Sequence, residues 1–237
     1  MIVRTVVLIP ILILSLLAML PLLIVCALLG RRMPLLTFAQ AVIRLTLAIL
    51  GLRIDIEGLA GVDRSRSSIF MANHGSMLDG PILFLLIPVA PRIILKKSLF
   101  RIPILGWAMR YTGFVPVDRR GENGGRTSIA RAARLMRERD YSFLIFPEGT
   151  RSRDGRLQGF RRGGFFLAAA ARAPIVPVTI DGAYQLMPRG RRIPRRGRIR
   201  IVFHPAVETS GLDEAAMPEF AERVRSVIAW DLKGERI

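Results

Sequence analysis

His74 and Asp79, in the stretch Asn73-His74-Gly75-Ser76-Met77-Leu78-Asp79, are the residues of this chain best suited to moving a proton. Imidazole titrates near neutral pH, and a carboxylate beside it selects its tautomer and stabilises the imidazolium formed when it accepts a proton. On a regular helix five residues turn through roughly 500°, which leaves the two side chains off a common face. A turn must bring them together. The flanks supply one: Ser68 to Ala72 reads as a short buried strand, Gly75 permits a sharp loop, and Pro81 suits the first turn of a helix. The spacing therefore predicts His74 in the loop and Asp79 at the helix entrance. Ser76 suggests a Ser-His-Asp hydrolase as a rival, but it lies two residues from His74 in the same loop, and the Gly-x-Ser-x-Gly elbow is missing.

The elements that must hold this pair alternate in the manner of an α/β domain with a mixed central sheet flanked by helices. Candidate strands are Arg53 to Glu57, Ser68 to Ala72, Arg92 to Leu95, Phe114 to Val117, Ser142 to Phe146, Ile175 to Ile180 and Ile199 to Phe203. Arg126 to Asp140 reads as a helix with Thr127 or Ser128 as its cap and Ile129, Ala132, Ala133 and Met136 on one face. Phe165 to Arg172 reads as a short Ala-rich helix, and a last helix begins near Pro218. The glycines of the loop Arg119 to Arg126 lack the Gly-Lys-Ser/Thr ending of a phosphate cradle.

Ahead of this domain lies an apolar segment. Thr5 to Gly30 contains no charged residue, long enough as a helix to cross a hydrocarbon core of about 30 Å, and it exceeds the apolar part of a cleaved signal. Leu35 to Leu52 is apolar but interrupted by Gln40 and Arg44, which favours an interfacial or re-entrant helix, or one arm of a hairpin with the first. The chain thus divides into a membrane-associated helical segment, 1–52, and an α/β domain, 53–237. Arg31, Arg32, Arg44 and Arg53 follow the apolar run and only Arg4 precedes it, so the positive-inside rule places the domain on the cytoplasmic side of the cell's inner membrane.

The formal net charge of +18 favours an anionic partner: membrane surface, phosphate ligand or nucleic acid. Its densest patch holds Arg189, Arg191, Arg192, Arg195, Arg196, Arg198 and Arg200. No aromatic residue lies between Tyr184 and Phe203, so the stacking platform of a single-strand binder is missing, and no groove-reading motif is found. The patch reads better as a contact to anionic headgroups than to nucleic acid. Cys26 is the only cysteine, and His74 and His204 the only histidines, so the reading is metal-independent and free of disulfides.

Four blocks accompany one another in order. They are Asn73 to Asp79; Lys96 to Gly106 with Gly113 to Arg119; Phe146-Pro147-Glu148-Gly149-Thr150-Arg151-Ser152; and Ile175 to Ile180. Together they resemble the motif blocks of the glycerolipid acyltransferases, whose best-known members are 1-acylglycerol-3-phosphate acyltransferases. The resemblance implies the fold of that family, catalysis by His74 with Asp79, and substrate contacts from Lys97, Arg119, Glu148, Gly149, Thr150, Arg151 and Arg162, with Glu148 either binding the glycerol portion or holding its loop. Under it, Arg119 and Arg151 pinch the acceptor's phosphate, with Lys97 and Arg162 adding charge, and Val176-Pro177-Val178 is mainly structural, lining the acyl path. It further implies a lysophosphatidate acceptor in the membrane, acyl-CoA or acyl carrier protein as donor, and no cofactor. Relatives with the same blocks acylate other lysophospholipids or lyso-ornithine lipid, which leaves the acceptor open. Outside this class stands a basic protein that only binds membrane surfaces or nucleic acid.

Overall fold

Ile69, Phe70, Met71 and Ala72 are all fully buried, as a strand covered on both faces requires, and the sheet is built around them. The computed structural model describes residues 2–117, 124–191 and 193–232. In chain order these form α1 (Ile2–Leu28), α2 (Met33–Leu50), β1 (Leu52–Glu57), β2 (Ile69–Ala72), α3 (Asp79–Leu86), β3 (Arg92–Lys96), α4 (Leu105–Thr112) and β4 (Val115–Val117). There follow α5 (Gly124–Arg139), β5 (Phe143–Ile145), α6 (Gly163–Ala171), β6 (Ile175–Asp181), α7 (Ala183–Leu186), β7 (Gly197–Phe203) and α8 (Met217–Trp230).

Among the described residues the strands make one sheet in the order β1-β7-β6-β2-β5-β3-β4. Every neighbouring pair is parallel except β6 with β7, so the sheet is mixed, with β1 and β7 running against the rest. Side chains alternate across it. Phe70, Leu144, Val176 and Val178 join the apolar cluster under α2, α3, α4 and α7, whereas Ile69, Met71, Phe143 and Ile175 join the one under α5, α6 and α8. Burying a side chain as large as Phe70 or Ile69 contributes about 1.5–3 kcal/mol, which makes β2 a rigid base for the loop that leaves it.

All seven expected strands are present, displaced by at most two residues at their ends. Three details differ. Helix α4 went unforeseen, because Gly106 in its first turn weakens the helical signal; a Cβ there would lie 2.3 Å from the Phe100 carbonyl oxygen, so close packing demands the glycine. Ser128 does not cap α5, which already begins at Gly124; its hydroxyl donates to the Pro116 carbonyl (2.8 Å). Val176-Pro177-Val178 is buried in β6, the structural half of its expected role, and does not border the cavity beside His74.

The N-terminal helices are docked onto the domain. Leu36 and Leu47 of α2 belong to the apolar cluster of the sheet, and the Gln40 carboxamide donates to the Phe84 carbonyl (3.1 Å). At the turn between α1 and α2 the Tyr111 hydroxyl donates to the Cys26 carbonyl (2.6 Å), and Arg32 donates to the Tyr111 carbonyl (2.9 Å). Both helices are long and apolar enough to cross a membrane. Along α1 Ile13, Leu14 and Leu17 are more than half exposed, part of an outward face that is apolar.

Candidate active site

The chain leaves β2 at Asn73, whose carboxamide acts as one more rung of the sheet. It donates to the Ile180 carbonyl and accepts from the Ile180 N–H, both at 2.8 Å. This fixes where His74 emerges. Asp79, the first residue of α3, then closes the loop: its Oδ2 lies 2.9 Å from His74 Nδ1 and accepts from the N–H groups of Gly75 (2.9 Å) and Ser76 (2.7 Å). Three N–H donors on one oxygen suit an acceptor-only carboxylate, which places the imidazole proton on Nδ1 and leaves Nε2 with a lone pair. Asp79 is buried, and its Oδ1 accepts nothing from the described residues. The His74 ring lies on Phe146, centroid to centroid 4.1 Å at 20°, so its plane is held as well.

Glu148 ties a second loop to the first. Its Oε1 accepts the His74 backbone N–H (2.6 Å) and its Oε2 that of Gln158 (3.1 Å), while the His74 carbonyl accepts from the Ser152 N–H (2.8 Å). Burial pushes the Glu148 carboxyl up to about 7, against the opposing pull of those two N–H donors. Gly149 turns the loop at φ +76°, and a Cβ there would come within 2.8 Å of Arg161 Nε. The glycine is needed for the turn and for the guanidinium packed on it.

His74 borders two cavities. One, of about 670 Å³, has an apolar lining that includes Pro81, Ile93, Leu95, Leu99 and Ile129, with Lys96, Arg151 and Arg161 as its charged groups. The other, of about 560 Å³, is lined by the carboxylates of Asp79, Glu148, Asp154 and Asp181, with Arg156 as the basic residue among its described lining. A phosphate is attracted by the first set and repelled by the second. The larger cavity therefore matches an amphiphile: apolar length for an acyl chain, cations for a phosphate, and an imidazole at the border.

Of the residues expected at the site, His74, Gly149 and Arg151 face this cavity. Glu148 reaches it only through the His74 backbone, and Thr150 is exposed, its carbonyl accepting from Gln158. Lys97 opens a 3-10 turn, and Lys96 beside it is the lysine that lines the cavity. Arg162, the residue before α6, is likewise replaced on the cavity wall by Arg161. Arg119 lies outside the described residues, as do the rest of 118–123 and Arg192. Phe146, Asn73 and Gln158 were not foreseen; the first two adjoin expected site residues in the chain or the motif, but nothing in the sequence marks Gln158.

Ser76 is fully buried with its hydroxyl donated to the Met187 carbonyl (2.9 Å), so it is not a nucleophile for His74.

The site thus pairs a histidine with a buried carboxylate, at the carboxyl end of a central α/β strand and beside a cationic, apolar cavity. A family model described as Acyltransferase matches residues 53–181, and the chain belongs to that acyltransferase family. A chloroplastic 1-acyl-sn-glycerol-3-phosphate acyltransferase of Arabidopsis thaliana is 35% identical over 165 residues, covering 68% of this chain and 45% of the relative. The 1-acyl-sn-glycerol-3-phosphate acyltransferase alpha of Bos taurus is 28% identical over 201 residues, covering 85% and 70%. The crystal structure of the 1-acyl-sn-glycerophosphate (LPA) acyltransferase PlsC from Thermotoga maritima superposes with a TM-score of 0.71 at 27% identity, covering 83% of this chain and 79% of that one. The chain spans about half the length of the chloroplastic relatives of Arabidopsis thaliana and Brassica napus that it matches.

Proposed function

We propose that this chain transfers a fatty acyl group from acyl-CoA or acyl carrier protein to the sn-2 hydroxyl of 1-acylglycerol 3-phosphate, giving phosphatidate and the free thiol. The observation that carries this reading is the 2.9 Å contact of His74 Nδ1 with Asp79, on a histidine bordering a cavity with three cations. His74 Nε2 takes the proton from the acceptor hydroxyl as the oxygen attacks the thioester carbonyl. The tetrahedral intermediate collapses by breaking the carbon–sulfur bond, and the departing thiolate takes the proton back from the imidazolium. A thiol leaves readily, so no acyl-enzyme is needed. Asp79 holds the tautomer throughout.

Arg151, Arg161 and Lys96 are the groups for the acceptor phosphate, since guanidinium forks bind phosphate through paired charge-assisted hydrogen bonds. Glu148 and Gly149 act as supports of the loop, Glu148 by holding the His74 main chain. Residues 1–52 anchor the protein and 53–237 carry the chemistry. The docking of α2 through Gln40 and Arg32 supports immersion of the hairpin in one leaflet, because a helix attached to the domain along its length cannot be ringed by lipid. The excess of arginine after the apolar run supports a cytoplasmic domain at the inner membrane.

Membranes containing the protein, incubated with labelled acyl-CoA and a panel of lysolipids, test the reading by thin-layer chromatography. A diacyl product formed with lysophosphatidate is expected. Product formed only with another lysolipid, such as lyso-ornithine lipid, would reassign the acceptor, and none with any donor and acceptor would refute the activity.

A further inference from the structure

Strands β1 and β7 carry a charged ladder on one face. Arg200 donates to both carboxylate oxygens of Glu57 (2.6 and 2.8 Å), and Arg198 donates to Asp55 (3.0 Å). In the parallel register Arg200 stands opposite Asp55 and Arg198 opposite Arg53, so each arginine reaches the acid two residues beyond its own partner. The same offset, carried one step further, brings Arg196 to residue 53. There the acid is missing, for residue 53 is arginine.

Arg53, Arg196 and Arg198 line a hollow of about 510 Å³ with Gly51, Leu52 and Gly197. Among the described residues no acid pairs with Arg53 or Arg196, and like charges side by side on neighbouring strands destabilise a sheet unless an anion joins them. The hollow is also well placed. β7 runs antiparallel to β6 with Arg200 opposite Asp181, so its Gly197 end lies beyond the carboxyl end of β6, the end of the sheet from which the His74 loop leaves β2. The apolar helix α2 ends at Leu50, immediately before the hollow.

We propose that Arg53, Arg196 and Arg198 bind the phosphate of an anionic lipid headgroup, at a site that shares no lining residue with the acceptor cavity. The proposal rests on the reading of the chain as an enzyme of lipid surfaces. Arg198 is shared with Asp55, so Arg53 and Arg196, the other two arginines of the hollow, are the cations that no acid engages among the described residues. A headgroup held there orients the sheet end that carries His74 toward the bilayer surface.

The test is thermal unfolding of the full chain in neutral detergent, titrated with dihexanoyl phosphatidylglycerol, dihexanoyl phosphatidylcholine or inorganic phosphate, since a ligand of the folded state raises the midpoint. The midpoint should rise with phosphatidylglycerol and not with phosphatidylcholine. R53Q/R196Q should need at least about tenfold more phosphatidylglycerol for the same rise, given about 1 kcal/mol per basic residue at a headgroup. R131Q/R134Q, which removes the same charge from the exposed side of α5, should titrate like the unmodified chain. Wild-type behaviour of R53Q/R196Q, or equal weakening of both double variants, would overturn the site. An equal rise with inorganic phosphate would overturn its assignment to a lipid. Should the double variant fail to fold, R196Q alone, at an exposed position, answers the same question. No turnover is measured, so failure here leaves the acyltransferase reading standing, and failure of the lysolipid panel leaves a positive titration standing.

Discussion

The protein contains two histidines, each near an aspartate, and their surroundings differ. His74 meets Asp79 through Nδ1 at 2.9 Å, stacks on Phe146 and borders an amphiphilic cavity. His204 has Nε2 2.8 Å from the Thr179 hydroxyl and 3.8 Å from Asp231, and burial holds it below its usual titration range. The Thr179 hydroxyl is itself buried and donates to the Ile228 carbonyl, so that cluster ties α8 to β6 and offers no nucleophile. Residue type is shared by the two sites. What differs is which ring nitrogen meets the carboxylate and whether the other has anywhere to act.

The largest effect should come from removing the first pair. His74→Ala and Asp79→Asn should each lower kcat at least about 100-fold, and the double variant should be little worse than either single one, because the two act as a unit. His204→Ala should keep kcat within about twofold while lowering stability by about 1 kcal/mol, the size of one buried hydrogen bond. Steady-state rates with thermal melts check both, and a large fall in kcat for His204→Ala with an intact fold would break the contrast.

A smaller effect, on binding, sharpens the assignment of the cavity. Arg151→Ala and Arg161→Ala should each raise KM for the phosphorylated acceptor about tenfold with kcat nearly kept, as expected for a charge-assisted contact made equally in ground and transition states. Arg162→Ala should leave KM unchanged. A rise in KM for the thioester alone would move these arginines to the donor.

The smallest effect on turnover concerns Glu148, whose larger signature is in stability against pH. Its carboxyl is raised from 4.5 to about 7 in the folded chain, so folding favours the neutral acid. That contribution is fully present below pH 4.5 and is lost as pH rises through about 7, a change of about 3 kcal/mol by linkage. Glu148→Gln should flatten this segment of the stability–pH curve while slowing turnover through a displaced His74. Parallel curves for the two proteins between pH 4.5 and 7 would show that burial does not act on this group as described.

Much of the fold was legible because a covered sheet demands unbroken apolar runs, and these stand out between polar loops; β2 and β6 are the plainest cases. The His74–Asp79 pair was legible for a related reason: Gly75 and Pro81 leave a strand-loop-helix as the only local path that lets the two meet. Legibility failed by one residue at Lys96 against Lys97 and at Arg161 against Arg162. Adjacent cations look alike in a sequence, but the end of β3 and the loop packed on Gly149 direct only one of each pair toward the cavity. For Glu148 the resemblance implied either a contact to the glycerol portion or a hold on the loop, and the structure shows the hold. Its partners are main-chain N–H groups of residues 74 and 158, and the sequence does not encode such pairings in residue type.

By itself, then, the sequence determined the α/β alternation, the apolar N-terminal segment, the excess of positive charge and the pairing of His74 with Asp79. These are properties of single residues and of short periods, set by hydropathy, by glycine and proline geometry and by ionisation. Tertiary structure alone decided which cations face the lipid-sized cavity, that Glu148 holds the His74 backbone, and that the ladder between β1 and β7 ends on paired arginines. Those depend on strand order and register, which join residues far apart in the chain, 74 positions for His74 with Glu148 and 143 for Glu57 with Arg200.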